Sequence, residues 1–475
     1  MTTKLASNQV QGGAVNVKDF GAVGDGVTDD TAAIQAAIVA CDATRLEGNW
    51  TSASILIAEG RFLISGQLDI TGLNVDFSRA VLILDDNFPT SPAIIGHNLF
   101  GNAGATRDIK LSIDGNRANQ SSTIVSVGFT NFNWTGSNVH IHGEDCQTLV
   151  KVDGNTEGIQ FLLTGFNIER VVEEDVNGGL TPDENEYKII TNTTGDLYVQ
   201  LQASQGTSSH LILNCEQAGM LLSADSPLID ITTAKTAKVE GLLRGTWATP
   251  VRVDAGTSSI IRFDLEVYGL ASIGYDTLNS PAGTVKALDI VECGKVFGFY
   301  EVHSAGASCT ADIYKTNQGG SLTLSNNVDS GIAIQLGDPA DVSNSVDGLK
   351  LVAYGKTSTG GKELVVNRTN NGSIELLSCI FGIDIDPNNL SSSGGNFRTP
   401  ISIPATVFVS DVPITTTDAG TSPWTGDITC HAPVTSSLIT GYSTPINGLT
   451  CKERLSRTEY TYSNGVWTKP TMVNA

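Results

Sequence analysis

Cations are scarce in this chain: 28 lysines and arginines stand against 50 aspartates and glutamates, a formal charge of -22 over 475 residues. With no basic stripe to follow a phosphate backbone, nucleic acid is excluded as a partner. Charged residues of either sign make up only 16%, too few for a coiled coil or a disordered chain. No stretch of about 18 apolar residues exists to cross a membrane, and the opening MTTKLASNQVQGG has no apolar core of an export signal. The eight cysteines, Cys41, Cys146, Cys215, Cys293, Cys309, Cys379, Cys430 and Cys451, never form a C-x-x-C pair. Zinc-ribbon and thioredoxin-like readings therefore fail, and buried free thiols are expected, since Cys packs as a small hydrophobe. No cofactor is expected. A glycan remains available as a partner, because sugars are held by hydrogen bonds and aromatic stacking rather than by net charge.

What is present is glycine, 50 residues of it, and short alternating apolar runs. In VNVKDFGAVGDGVTDDTAAIQAAI (15–38), Val15 and Val17 alternate as in a strand, and Gly21, Gly24 and Gly26 supply permissive backbone for consecutive tight turns. Asp29 or Asp30 is placed to cap the helix that follows, and Ile34, Ala37, Ile38 and Cys41 share one apolar helix face. The helix would cover an open sheet end. ILIAEGRFLISGQLDI (55–70) then reads as a strand, a turn at Glu59-Gly60 and a second strand. The four aspartates of this opening, Asp19, Asp25, Asp29 and Asp30, are explained by turns and caps rather than by chemistry.

The opening resembles the signature of the pectate-lyase-like superfamily of β-helical proteins, in the form V-x-D-F-G-A-x-G-D-G-x-x-D-D-T-x-A-I-Q-x-A-I. LIAEGRFLI is similar to the family's following L-x-P-x-G-x-Y-x-I, with Ala58 in place of its proline and Phe62 as its aromatic. The resemblance covers about the first 70 residues closely. It implies an all-β fold, a right-handed parallel β-helix (solenoid) with a short N-terminal capping helix. Among such proteins, bacteriophage tailspikes commonly start this way and lack an export signal, and they are homotrimers. That resemblance further implies a virion protein made in the host cytoplasm, with phage tail or adaptor proteins as partners through the N-terminus. Only a short arm precedes the motif, so a large particle-binding domain is not expected.

From 105 to 385 short strands recur, among them RDIKLSID, SNVHIHG, GIQFLLTG, HLILNCE, IIRFDLEVYGL and KALDIVEC, with few helical candidates. Stacked rungs fit this pattern. SSSGGN (391–396) reads as a linker. The expected organisation is an arm and cap over 1–50, a β-helix over 51–390 and a small C-terminal β domain over 397–475, for trimerisation or receptor binding. Near the end, Asn464-Gly465 lies between two strand-like runs as in a hairpin.

Alternation also marks where chemistry can sit, because alternate side chains of a rung face core and solvent. In IIRFDLEVYGL, Ile261, Phe263, Leu265 and Val267 point inward, leaving Arg262, Asp264, Glu266 and Tyr268 outside. Carboxylates at i and i+2 stand roughly 6.6 Å apart along a strand, near the roughly 6.5–9.5 Å separation of inverting glycosidases. Asp264 and Glu266 are thus the candidate catalytic pair, with Arg262 to anchor an acidic sugar and Tyr268 to stack on a ring. The preceding TPVRVDAG puts Arg252 and Asp254 outward, with Trp247 upstream. In VHIHGED, His140, His142 and Glu144 share a face that fits a sugar subsite; no further ligand for a metal is evident. Asp114 in SIDGNRAN is read as a turn residue, and VEEDV (172–176) as an acidic loop or weak calcium site. Ordinary solvation of a sheet face is the commoner reason for such rows.

The function expected is binding of a bacterial surface polysaccharide (lipopolysaccharide, capsule or exopolysaccharide) with hydrolysis by an Asp/Glu pair. The alternatives are a non-catalytic adhesin and a polysaccharide lyase. The latter needs clustered cations, which are few.

Overall fold

The computed structural model describes residues 13–44, 54–89, 91–97, 107–120, 122–130, 134–135, 137–153, 156–175, 184–192, 199–202, 208–218, 227–232, 235–245, 249–269, 284–304, 308–328, 332–338, 344–355, 362–366, 369–370, 373–377, 381–385, 401–403, 414–416, 428–430, 450–453, 459–463 and 466–468. Its chain divides into two compact units, Met1–Leu221 with Leu228–Leu243, and Leu222–Pro227 with Arg244–Ala475. Each is a parallel β-helix.

In the first unit, one ladder joins Ala14–Asn16, Ile55–Ile64, Asn74–Leu84, Asp108–Asp114, Asn138–Glu144, Gln160–Phe166, Asn185–Asn192 and Ser208–Ala218, each strand parallel to the next. A second ladder joins Leu68–Asp69, Ile94–His97, Val125–Thr130, Thr148–Asp153, Arg170–Asp175, Val199–Gln202 and Ile229–Thr232. The chain alternates between the two ladders, so each turn lays one rung on the last. Inward residues stack in files: Phe161 lies parallel to Tyr187 with ring centroids 4.9 Å apart, and Phe129 meets Phe161 edge-on at 5.5 Å. Such contacts add about 0.5–1.5 kcal/mol each beyond area burial.

The start of the chain folds as its residues require, with a choice made between two capping candidates and one correction. The helix Thr31–Asp42 buries Ile34, Ala37, Ile38 and Cys41. Asp30 precedes it but makes no capping hydrogen bond to it. Its carboxylate instead accepts from the backbone N–H groups of Val23 and Gly24 at 2.7 and 3.0 Å, closing the glycine loop, while Asp29 accepts from the Thr31 N–H at 3.0 Å. Nor is Glu59-Gly60 a turn: Ile55–Ile64 is one strand with an irregularity after Ile57. Gly60 has φ +137° and packs against the Gly24 carbonyl, which a Cβ would approach to 2.9 Å. Backbone approach, rather than chain reversal, is why glycine stands there.

In the second unit, residues 260–268 of Val251–Gly269 pair with 295–303 of Thr284–Ser304, followed by Thr316–Val328, Leu349–Gly355, Ser373–Leu377, Ile401–Ile403, Ile428–Cys430 and Thr450–Glu453. The N-terminal halves of the two long strands begin a separate ladder continued by Ser308–Ile313, Ile332–Leu336, Lys362–Val366, Phe381–Ile385 and Ile414–Thr416. SSSGGN lies outside the described residues, and parallel pairing occurs on both sides of it. The chain ends in antiparallel pairing of Glu459–Ser463 with Val466–Thr468, where Tyr462 faces Trp467. Cys41, Cys146, Cys215 and Cys293 are buried free thiols; the other four cysteine side chains lie outside the described residues.

VEEDV is not a loop over its described residues, 172–175. These residues belong to the strand Arg170–Asp175, whose alternation turns Glu173 outward to Arg170 and Lys151 and sends Glu174 into the core. There Glu174 accepts from Tyr187 Oη at 2.6 Å and from Ser209 Oγ at 3.0 and 3.1 Å. Burial outweighs these donors and pushes its carboxyl up to about 7.

Candidate functional site: an outward carboxylate row in the second unit

Along Val251–Gly269 the expected alternation holds. Ile261, Phe263, Leu265 and Val267 are buried, while Arg262, Asp264 and Glu266 are exposed and Tyr268 is half-buried. The inward set packs on the next rung, with Phe263 edge-on to Tyr300 at 5.4 Å between centroids. This anchors the strand and presents the outward row on a fixed backbone.

Register then adds residues that spacing along one strand does not reveal. Glu266 faces Glu301, Tyr268 faces His303, Asp264 faces Phe299 and Arg262 faces Phe297. Glu266-Val267-Tyr268 and Glu301-Val302-His303 are the same pattern, laid side by side. Tyr268 Oη donates to Glu266 Oε2 at 2.9 Å, and His303 Nε2 lies 3.2 Å from Glu301 Oε1. The two rings stack face to face with centroids 3.9 Å apart and planes 8° from parallel. Each of two carboxylates on neighbouring strands thus has an aromatic ring beside it, hydrogen-bonded in the case of Glu266, and the two rings stack on each other. Gly298 makes the register possible: at φ +105° it lies against the Phe263 carbonyl, which a Cβ would approach to 1.9 Å. Upstream, the Arg262 guanidinium sits 5.2 Å over the Phe297 ring. Among the described residues it makes no ion pair, so its donors are open to an anionic group.

Arg252 and Asp254 face outward as expected, but on the other ladder of this unit, where Arg252 Nη2 donates to Asp254 Oδ2 at 3.1 Å. Arg252 faces Asp289, which faces Asp312 on the next strand. Lys286 Nζ lies 3.2 Å from Asp312 Oδ2 and 3.7 Å from Asp289 Oδ1, and Tyr314 Oη donates to Asp312 Oδ2 at 3.0 Å. Burial holds the Asp289 carboxyl above the usual range despite Lys286. Asp289 and Asp312 are nearly inaccessible, at 8% and 5% exposure, while Arg252, Asp254 and Lys286 at the edge of the cluster are partly exposed. Trp247 lies outside the described residues.

His140, His142 and Glu144 belong to the first unit and share an outward face of Asn138–Glu144. His142 engages Thr164 Oγ1 through Nδ1 at 3.0 Å and Glu144 Oε1 through Nε2 at 3.3 Å. Both ring nitrogens are occupied within the sheet face. Asp114 faces Glu144 across the ladder, and its carboxyl is raised by burial and by the neighbouring Asp145 and Glu144 charges. It accepts from the Asn116 N–H at 3.0 Å, the turn role expected of it. Among the described residues no group of three His, Cys, Asp or Glu is placed to hold a metal ion, and no helix is long and apolar enough to cross a membrane.

Residues 14–74 match the family model described as rhamnogalacturonase A/epimerase, pectate lyase-like. Two mannuronan C5-epimerases of Azotobacter vinelandii, AlgE5 and AlgE2, are each 33% identical over 121 residues, 23% of this chain and 12% of theirs. A third, AlgE6, is 31% identical over 181 residues, 37% of this chain. The chain thus spans less than a fifth of the length of these relatives. Among solved structures, the surface adhesin PfbA of Streptococcus pneumoniae is 13% identical over 89% of this chain and 96% of its own, with a TM-score of 0.26. ORF18 of Geobacillus virus E2 is 13% identical over 96% of this chain and 68% of its own, with a TM-score of 0.18.

Proposed function

We propose that this chain is a β-helical tailspike that binds a bacterial surface polysaccharide and hydrolyses its glycosidic bonds on the outward row of the second unit. The observation that carries this reading is the ladder register that sets Glu301 and His303 beside Glu266 and Tyr268. Hydrolysis of a glycoside needs two carboxyl groups, one to protonate the leaving oxygen and one to activate water or attack the sugar. Glu266 has two partners for that work, Asp264 along the strand and Glu301 across it. Arg262 over Phe297 offers a flat cationic surface upstream, suited to an acidic or N-acylated sugar. The pectate-lyase-like match of residues 14–74 supports a polysaccharide as the substrate class. The opening motif supports a virion-borne homotrimer attached to the tail through its N-terminal segment.

Incubating the full chain with host surface polysaccharide, while following chain length and reducing ends, tests the reading. Shortened chains with new reducing ends, lost in Glu266→Gln while binding persists, are expected. Tight binding with intact polysaccharide would make the protein an adhesin instead. Unsaturated, ultraviolet-absorbing products would make it a lyase.

A further inference from the structure

We infer that the working pair is Glu266 with Glu301, and that cleavage retains the configuration of the anomeric carbon. The inference rests on the hydrolytic reading above and fixes which carboxylates carry it. Directly opposed residues of neighbouring strands stand about 4.8 Å apart, whereas i and i+2 on one strand stand about 6.6 Å apart. Retaining glycosidases separate their carboxyl groups by about 5–5.5 Å and inverting ones by about 6.5–9.5 Å. By backbone register, Glu266 and Glu301 fall nearer the first separation, and Asp264 and Glu266 nearer the second.

Organisation decides between them. Each member of the cross-strand pair has a ring partner, Tyr268 for Glu266 and His303 for Glu301, and the stacked rings keep the two partners from moving independently. Asp264 is exposed, faces Phe299, and makes no hydrogen bond or ion pair among the described residues. A catalytic constellation needs side chains fixed by their neighbours, and only the cross-strand pair has that support.

The roles follow from the partners. Glu266, accepting a phenolic O–H, is placed to work as a carboxylate: one of its oxygens bonds to the anomeric carbon as the glycosidic C–O bond breaks. Glu301, facing an imidazole that can carry a proton, gives its proton to the departing oxygen. Water then attacks the same carbon, its proton passes to Glu301, and the ester to Glu266 breaks. One water is added across the bond overall, with no change of oxidation state. His303, stacked on Tyr268 and beside Glu301, acts as a positioning residue for Glu301.

The test is the anomeric configuration of the first product formed by the unaltered full chain, read by proton NMR before mutarotation, beside the rates of Asp264→Asn and Glu301→Gln. Retention, with a fall of about 10²–10⁴-fold in Glu301→Gln and less than about tenfold in Asp264→Asn, is expected. Glu301→Ala should regain turnover with azide and yield the glycosyl azide of retained configuration. Inversion of the first product overturns the pair while leaving hydrolysis standing, as does a loss in Asp264→Asn equal to that in Glu301→Gln. No cleavage of the polysaccharide overturns hydrolysis and the pair together. Because the NMR reading uses the unaltered protein, a variant that fails to fold does not prevent the decision.

Discussion

Replacing Glu174 with glutamine should stabilise the first unit at pH 8 and change it little at pH 4.5. In the folded chain this carboxyl is fully enclosed, with Tyr187 and Ser209 donating to it and no cation beside it among the described residues, and its pKa is pushed from 4.5 to about 7. The folded state therefore binds the proton more tightly than the unfolded state. The stability that the neutral acid contributes is complete below pH 4.5 and is lost as pH rises through 7. At about 1.4 kcal/mol per pH unit, the interval from 4.5 to about 7 is worth on the order of 3 kcal/mol. Glutamine has nearly the same shape and no charge to bury, and the Tyr187 and Ser209 hydroxyls can rotate to meet its amide. The difference between parent and variant is the quantity to follow, since the many other acids of the chain shift both alike. Urea unfolding of the full chain at pH 4.5, 6 and 8, with hydrogen exchange of residues 170–192 as the local readout, supplies it. A difference that does not change with pH would refute the reasoning, because it would mean that the carboxyl titrates as in water.

Gly298→Ala should cost at least about 1–3 kcal/mol, the range for a strained backbone position, because its Cβ would strike the Phe263 carbonyl. It should also lower polysaccharide cleavage by displacing Glu301, which melting and activity measured together would show. Asp30→Ala leaves the Val23 and Gly24 N–H groups without their acceptor and should cost about 1–3 kcal/mol, seen as a lower urea midpoint; Asp30→Asn should keep part of it. Lys286→Met removes the ammonium between Asp289 and Asp312. It should destabilise by about 2 kcal/mol, less than a fully buried pair because Lys286 is partly exposed, and adding Asp289→Asn should recover part of the loss.

The fold was legible because its evidence is local. A glycine loop, an apolar helix face and a run of period-two strands each depend on a few adjacent residues, and Ile34, Ala37, Ile38 and Cys41 are buried as their spacing requires. Where the reading failed, a distant partner had outweighed local preference. Gly60 looks like a turn but admits the Gly24 backbone. Glu174 looks like part of a solvated acidic run, yet strand alternation sends it inward to Tyr187 and Ser209.

The outward row shows the same division within a single site. Asp264 and Glu266 could be read from one strand, since period-two alternation alone puts them on the solvent face. Glu301 and His303 could not, because their place beside Glu266 and Tyr268 depends on register. That register is reset by irregularities between Val253 and Ile260. A one-residue slip would turn Glu301 into the core and bring Tyr300 out, and the burial of Tyr300 against Phe263 opposes it. A faint trace was nevertheless present, in the repetition of Glu-Val-Tyr (266–268) as Glu-Val-His (301–303). In a solenoid, a polar-apolar-aromatic triplet that recurs one rung later marks residues that meet across the ladder. A cross-strand neighbour of this kind is found from the register and not from either strand alone.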